Sequence, residues 1–274
     1  MSILQHKKNI YSQNGEDGII QFIFNRLNIK NGNFVEFGAW DGKHLSNTYN
    51  LYNNGWDGIY IEGDEKKYKD LLKNFGKENR ICCLHSMVGF ESNNNLDTLI
   101  EKTSFSDRTF DFVSIDVDGL DYNIFKAFTK YLPKVICIEV NAGHSPLYDK
   151  EIDISISQNN VGQSMYIINK EAEKKGYFSL CYTGNLFLVK NEYKHLFIKE
   201  TKDLKNIYLD FLSHLETTNP GGLKYLYNLF VIKQIFNGFY FKNKILKEYY
   251  ESVNKIQNQK INIKNIMYNN FKIA

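Results

Sequence analysis

Arginine is nearly missing from this chain. Of 34 basic residues only Arg26, Arg80 and Arg108 are arginine, so lysine carries the positive charge. Guanidinium forks suit phosphates and base edges, and a net charge of +3 supplies no basic field to replace them. Nucleic acid is therefore not an expected partner. Proline is equally scarce, at Pro133, Pro146 and Pro220, which favours long uninterrupted elements. No apolar run approaches the roughly 20 residues of a membrane helix, and no stretch reads as a secretory leader. The expectation is a cytoplasmic protein without membrane insertion. The cysteines Cys82, Cys83, Cys137 and Cys181 fall inside apolar runs and lack zinc-site spacing, which fits core packing in a reducing compartment. Aromatic residues, by contrast, make up 15% of the 274 residues, which excludes intrinsic disorder.

The first 190 residues alternate short β-branched or aromatic runs with polar helical stretches, the pattern of a parallel sheet wrapped by helices. Strands are predicted at Phe34–Gly38, Gly58–Glu62, Arg80–Leu84, Phe112–Asp116, Lys134–Val140, Tyr177–Tyr182 and Leu186–Lys190. Helices are predicted at Gly18–Leu27, Leu45–Asn54, Glu65–Asn74, Asn95–Glu101, Tyr122–Tyr131 and Val161–Lys175. Only Thr183-Gly184-Asn185 separates the last two strands, which permits a hairpin and forbids a parallel crossover. The expected fold class is thus α/β, a Rossmann-like sheet of seven strands, mostly parallel, with a terminal antiparallel hairpin. Residues 191–274 read as a helical extension, with helical stretches at Glu192–Glu216 and Lys242–Asn254 and a break at Asn219–Gly222. Leu223, Leu226, Tyr227 and Phe230 give it an apolar face, suited to packing on the sheet domain or on a second copy in a homodimer.

Three places on this framework carry polar residues suited to chemistry. The first strand runs into Glu36-Phe-Gly38-Ala-Trp-Asp41-Gly42, a turn whose glycines admit a closely approaching ligand. Trp40 stands where a dinucleotide loop needs a glycine, and the carboxylates Glu36 and Asp41 suit a cationic group. The second strand ends at Glu62, placed to accept both hydroxyls of a ribose, while Asp64 caps the next helix. The third strand leads to Ser86 and Met87, where an adenine would lie.

The remaining place is the end of the fourth and fifth strands. Asp116 and Asp118 leave one strand at the carboxyl edge, and Glu139, Asn141 and His144 leave its neighbour. Asp116, Glu139 and Asn141 form a hard oxygen set suited to Mg²⁺ or Mn²⁺. An alternative leaves Asp116 holding a ligand's ammonium, Asp118 capping a helix and Asn141 serving the turn. His144 precedes Pro146 in a loop and is the leading general base, with Asp118 as substitute.

The order strand, Glu36-x-Gly38, helix, strand, Glu62, closed by the hairpin, resembles class I S-adenosylmethionine-dependent methyltransferases. Ser12-Gln13-Asn14-Gly15-Glu16-Asp17 and Ser114-Ile-Asp-Val-Asp-Gly119 resemble, more narrowly, the FkbM-type family, many of whose members O-methylate sugars or polyketides. The resemblance spans residues 11–190, and the chain departs from the family's commoner Gly-Ala-Asn-x-Gly at Trp40-Asp41. It implies S-adenosylmethionine held by Gln13, Glu36, Gly38, Asp41, Glu62, Ser86, Met87 and Asp116. The implied activity is methyl transfer to a hydroxyl of a sugar or sugar nucleotide in bacterial surface polysaccharide biosynthesis. An N-methyltransferase of a small amine or amide, and a cofactor-binding module without turnover, are the alternatives. Asp17 has a second reading, as the N-cap of the Gly18–Leu27 helix.

Overall fold

The structure is a computed structural model that describes residues 2–117, 119–141, 148–152 and 162–219. Seven strands form one sheet: β1 (Asn33–Phe37), β2 (Asp57–Glu62), β3 (Ile81–His85), β4 (Phe112–Ile115), β5 (Val135–Glu139), β6 (Tyr177–Tyr182) and β7 (Asn185–Lys190). Their spatial order is β3-β2-β1-β4-β5-β7-β6. The first five are parallel, whereas β7 runs antiparallel to both β5 and β6. This is the expected Rossmann-like sheet of seven strands, mostly parallel and closed by an antiparallel hairpin. The order reverses between β1 and β4, and a doubly wound sheet opens a crevice at such a point, beyond the carboxyl ends of its strands.

The strands are apolar because helices cover both faces. Phe34, Val35, Phe112, Val113, Ile136, Ile138, Leu186 and Leu188 are fully buried. The α-helices are α1 (Glu16–Leu27), α2 (Tyr49–Asn53), α3 (Glu65–Phe75), α4 (Leu96–Glu101), α5 (Asp121–Ala127), α6 (Met165–Lys174) and α7 (Leu204–Thr218). Four of them begin on side-chain caps, α7 on Asp203, which accepts the amide of Asn206. Asp64 accepts the amides of Lys66 and Lys67 at 2.9 Å, Asn95 that of Thr98 and Ser164 that of Ile167.

Tertiary bonds shorten two elements relative to the sequence pattern, and a third is divided. The expected helix Leu45–Asn54 is reduced to α2, because Leu45 takes a left-handed φ of +56° and Glu36 gathers the next three residues. Its carboxylate accepts Ser46 Oγ at 2.6 Å, Asn47 N at 2.8 Å and Thr48 Oγ1 at 2.6 Å. The expected helix Tyr122–Tyr131 stops at Ala127, since Asp97 on α4 accepts the amides of Thr129, Lys130 and Tyr131. Glu192–Glu216 divides into a 3-10 segment, Asn191–Phe197, and α7.

The chain's first residues and α7 are fastened together. Ile3 and Leu4 are buried in a 3-10 turn, and Ser2 Oγ donates to Asp210 Oδ2 at 2.7 Å. Lys202 binds the same carboxylate at 2.8 Å. The apolar face at Leu223–Phe230, the Lys242–Asn254 stretch and any dimer surface they make lie outside the described residues.

Candidate functional site

Four carboxyl strand ends, those of β2, β1, β4 and β5, lie side by side, and the loops leaving them build two polar clusters. The β1 loop turns at Gly38, whose φ is +66°. A Cβ there would stand 3.1 Å from the carbonyl oxygen of Asp116, so this loop lies against the chain leaving β4. Next to it Glu62 is only 6% exposed. One of its oxygens accepts Trp40 N at 2.7 Å and the other accepts Asp64 N at 2.8 Å. Each carboxylate oxygen has two acceptor positions. The amides therefore fix the orientation of Glu62 and leave one position per oxygen, the pattern that suits a vicinal diol.

The other expected residues around Glu62 have distinct places. Glu36 turns inward onto Ser46, Asn47 and Thr48, which makes it the organiser of the loop beneath the site. Burial raises its pKa above the ordinary 4.5 although these three hydrogen bonds oppose the shift, and the nearby Asp17 charge adds to the rise. Asp41 Oδ1 accepts the amides of Lys43 at 2.9 Å and His44 at 2.8 Å, which shapes the turn. Ser86 is joined to β2 through its amide, 3.1 Å from the Glu62 carbonyl. Met87 follows it, 70% exposed, and its Sδ occupies the space a Cβ on Gly63 would need.

The second cluster belongs to β4 and β5. Carboxylate oxygens of Asp116, Asp121 and Glu139 lie within 4.8 Å of one another. Asp121 is buried and also closes its own loop, accepting Val117 N at 2.8 Å and Gly119 N at 2.9 Å. The spacing Asp116-x-Asp118-x-x-Asp121 is the sequence signal for it, masked because Asp121 also reads as the first acidic residue of a helix. The expected set of Asp116, Glu139 and Asn141 is thus joined by a third carboxylate. Asn141 is half-buried just beyond Glu139, its amide donating to the Gln163 carbonyl at 3.2 Å. The hard oxygens of these three carboxylates are of the kind that suits Mg²⁺ or Mn²⁺. Asp118 and His144 lie outside the described residues.

The segment Lys8–Gly15 forms a strap beside this edge. Asp17 Oδ2 accepts the amides of Ile10, Tyr11 and Ser12 at 2.8, 2.7 and 2.8 Å, and Ser12 Oγ at 2.8 Å. Asp17 is therefore the clasp of the strap and not the helix cap; α1 starts after Gly15, which has a left-handed φ of +90° and no side chain to cap with. Gly18 lets the strap cross α1, since a Cβ there would fall 2.0 Å from the His6 carbonyl oxygen. Glu16 links the strap to the β6–β7 turn, accepting Asn14 N at 2.7 Å and Thr183 Oγ1 at 3.0 Å. That turn leads into Asn185, the register partner of Glu139. Gln13 is exposed on the strap, with its carbonyl accepting Asn9 Nδ2 at 3.0 Å.

No protein-family model matches the sequence, and no curated protein matches it. Solved structures of similar shape include a Staphylococcus aureus protein provisionally assigned as a caffeoyl-CoA O-methyltransferase, at 19% identity and a TM-score of 0.42, covering 68% of this chain and 87% of that one. The CurJ carbon methyltransferase aligns at 11% identity and a TM-score of 0.43, over 68% of this chain and 56% of that one. The Podospora anserina methyltransferase PaMTH1, solved with S-adenosylhomocysteine bound, aligns at 13% identity and a TM-score of 0.41, over 65% and 79%.

Proposed function

We propose that this chain is an S-adenosylmethionine-dependent O-methyltransferase of FkbM type, acting on a hydroxyl of a sugar or sugar nucleotide. The observation that carries the reading is Glu62: a buried carboxylate at the carboxyl end of β2, held by two backbone amides, with one acceptor position left on each oxygen. The Ser12–Asp17 and Ser114–Gly119 motifs support the narrower assignment and, through it, the sugar acceptor.

When bound, S-adenosylmethionine supplies a methyl group activated by a sulfonium. Glu62 accepts the ribose hydroxyls, and the Gly38 turn lets backbone come close to the ligand. Ser86 and Met87 border the adenine, and Asp41 holds the turn in shape. Gln13 reaches the ligand from the strap. Asp116, Asp121 and Glu139, with Asn141 beside them, would hold a divalent cation, which would supply Lewis-acid polarisation of the acceptor hydroxyl. His144, with Asp118 as its substitute, would take the hydroxyl proton as the oxygen bonds to the methyl carbon and the sulfonium–methyl bond breaks to leave S-adenosylhomocysteine.

Thermal unfolding with S-adenosylhomocysteine tests the cofactor. A ligand binding only the folded chain stabilises it by about 2.7 kcal/mol at a hundredfold excess over its dissociation constant, and Glu62→Ala should abolish most of that gain. A shift with NAD and none with S-adenosylhomocysteine would show the reading to be wrong.

A further inference from the structure

We propose that Trp40 and Met87 are the two walls of a slot for a flat adenine–ribose moiety, with the Glu62 carboxylate between them. The inference rests on the reading that this edge binds S-adenosylmethionine and adds to it a residue, Trp40, that stacks on the nucleoside. β2 lies between β1 and β3, so the loops carrying Trp40 and Met87 approach Glu62 from opposite sides. Trp40 is tied there by its amide, 2.7 Å from Glu62 Oε2. Met87 is placed there by Gly63, whose missing side chain makes room for the thioether. Both are large apolar side chains left 41% and 70% exposed.

The backbone of Trp40 supports a binding role. Its φ is +47°, a region that bulky residues rarely enter and that costs conformational energy. A glycine would relax this turn, yet the position carries an indole. Lys67 Nζ lies 5.0 Å from the ring centroid, and the His44 ring meets the indole edge-on at 5.0 Å. These contacts hold the ring in place without burying it. An ordered, half-exposed aromatic face beside a diol-accepting carboxylate is what a nucleoside recognises.

Tryptophan emission reads the slot directly. The chain has two tryptophans. Trp56 is 2% exposed, packs edge-on against Phe24 at 4.6 Å and donates Nε1 to the Lys30 carbonyl at 2.9 Å. It precedes the first residue of β2, a strand length away from Glu62, and supplies a constant background. The full chain is titrated with S-adenosylhomocysteine and, separately, with NAD, by emission and by calorimetry. The proposal expects a saturable emission change with S-adenosylhomocysteine that matches the calorimetric affinity, persists in Trp56→Phe and vanishes in Trp40→Phe. Trp40→Gly, which suits the positive φ, should weaken binding on the order of 10-fold, and Trp40→Phe less. Calorimetric binding without an emission change, and with unaltered affinity in Trp40→Gly, would overturn the slot and leave the cofactor reading intact. A response to NAD alone would keep the slot and overturn the methyltransferase reading. Binding of neither ligand overturns both.

Discussion

Replacing Asp17 separates its role as a clasp from any role as a helix cap. One oxygen, Oδ2, accepts three backbone amides and one hydroxyl, while Oδ1 is buried without a partner. Asp17→Ala strands the buried Ser12 amide, which costs about 1–3 kcal/mol. The Ile10 and Tyr11 amides are partly solvated and can turn to water, adding roughly 0.5–1 kcal/mol each. With roughly 0.5–1.5 kcal/mol for the buried Ser12 hydroxyl, the sum is about 2.5–6.5 kcal/mol. Asp17→Asn keeps an acceptor at the Oδ2 position, but its NH₂ takes the buried, partnerless place of Oδ1. It therefore loses the charge assistance, which weakens the four bonds by about half, and also buries an unpaired donor. Urea unfolding of both variants measures the two numbers, with the m-value as a check that the unfolded states match. A loss below about 0.5 kcal/mol in Asp17→Ala would refute the clasp. Because Gln13 rides on the strap, Asp17→Ala should also weaken S-adenosylhomocysteine binding, measured by calorimetry.

Gly18→Ala should destabilise by about 1–3 kcal/mol or more in the same assay, because the new methyl meets the backbone of His6 and Lys8. Glu36 gives a pH signature. Burial raises its folded pKa above the ordinary 4.5, so the folded chain binds this proton more tightly than the unfolded chain. As pH falls from neutral towards that value, the stability of the wild type relative to Glu36→Gln should therefore rise, as unfolding at several pH values will show. At the β4–β5 edge, chelation should abolish turnover and added Mg²⁺ or Mn²⁺ restore it. Asp121→Asn should raise the metal concentration needed for half-maximal rate, and full turnover by protein shown metal-free by elemental analysis would reject the ion.

The strands were legible because each is a short apolar run bounded by polar residues, and β6 begins and ends at the predicted residues. The hairpin followed from a three-residue gap alone. Elements whose ends are set by distant carboxylates were less legible: no local pattern around Ser46 records that Glu36 will hold it, and none around Thr129 records Asp97. Within the candidate site, Gly38, Glu62 and the Asp116–Glu139 pair could be read from strand ends, since a doubly wound sheet places ligands there. Asp121 was hidden by its likeness to a helix-start residue. The clasping role of Asp17 depends on a strap crossing at Gly18, a three-dimensional fact with no sequence period.

The bond between Ser2 and Asp210 sets a condition on how the chain is made. Its two residues are 208 positions apart, among the longest loop closures a fold of this size can contain. During synthesis the sheet strands emerge and pair long before α7 exists. The opening 3-10 turn, which leads into the strap, gains its last partner only when α7 docks. The strap side of the carboxyl edge is therefore finished after the Glu62 side. Shortening the chain before residue 204 would leave a complete sheet whose opening turn has lost its anchor.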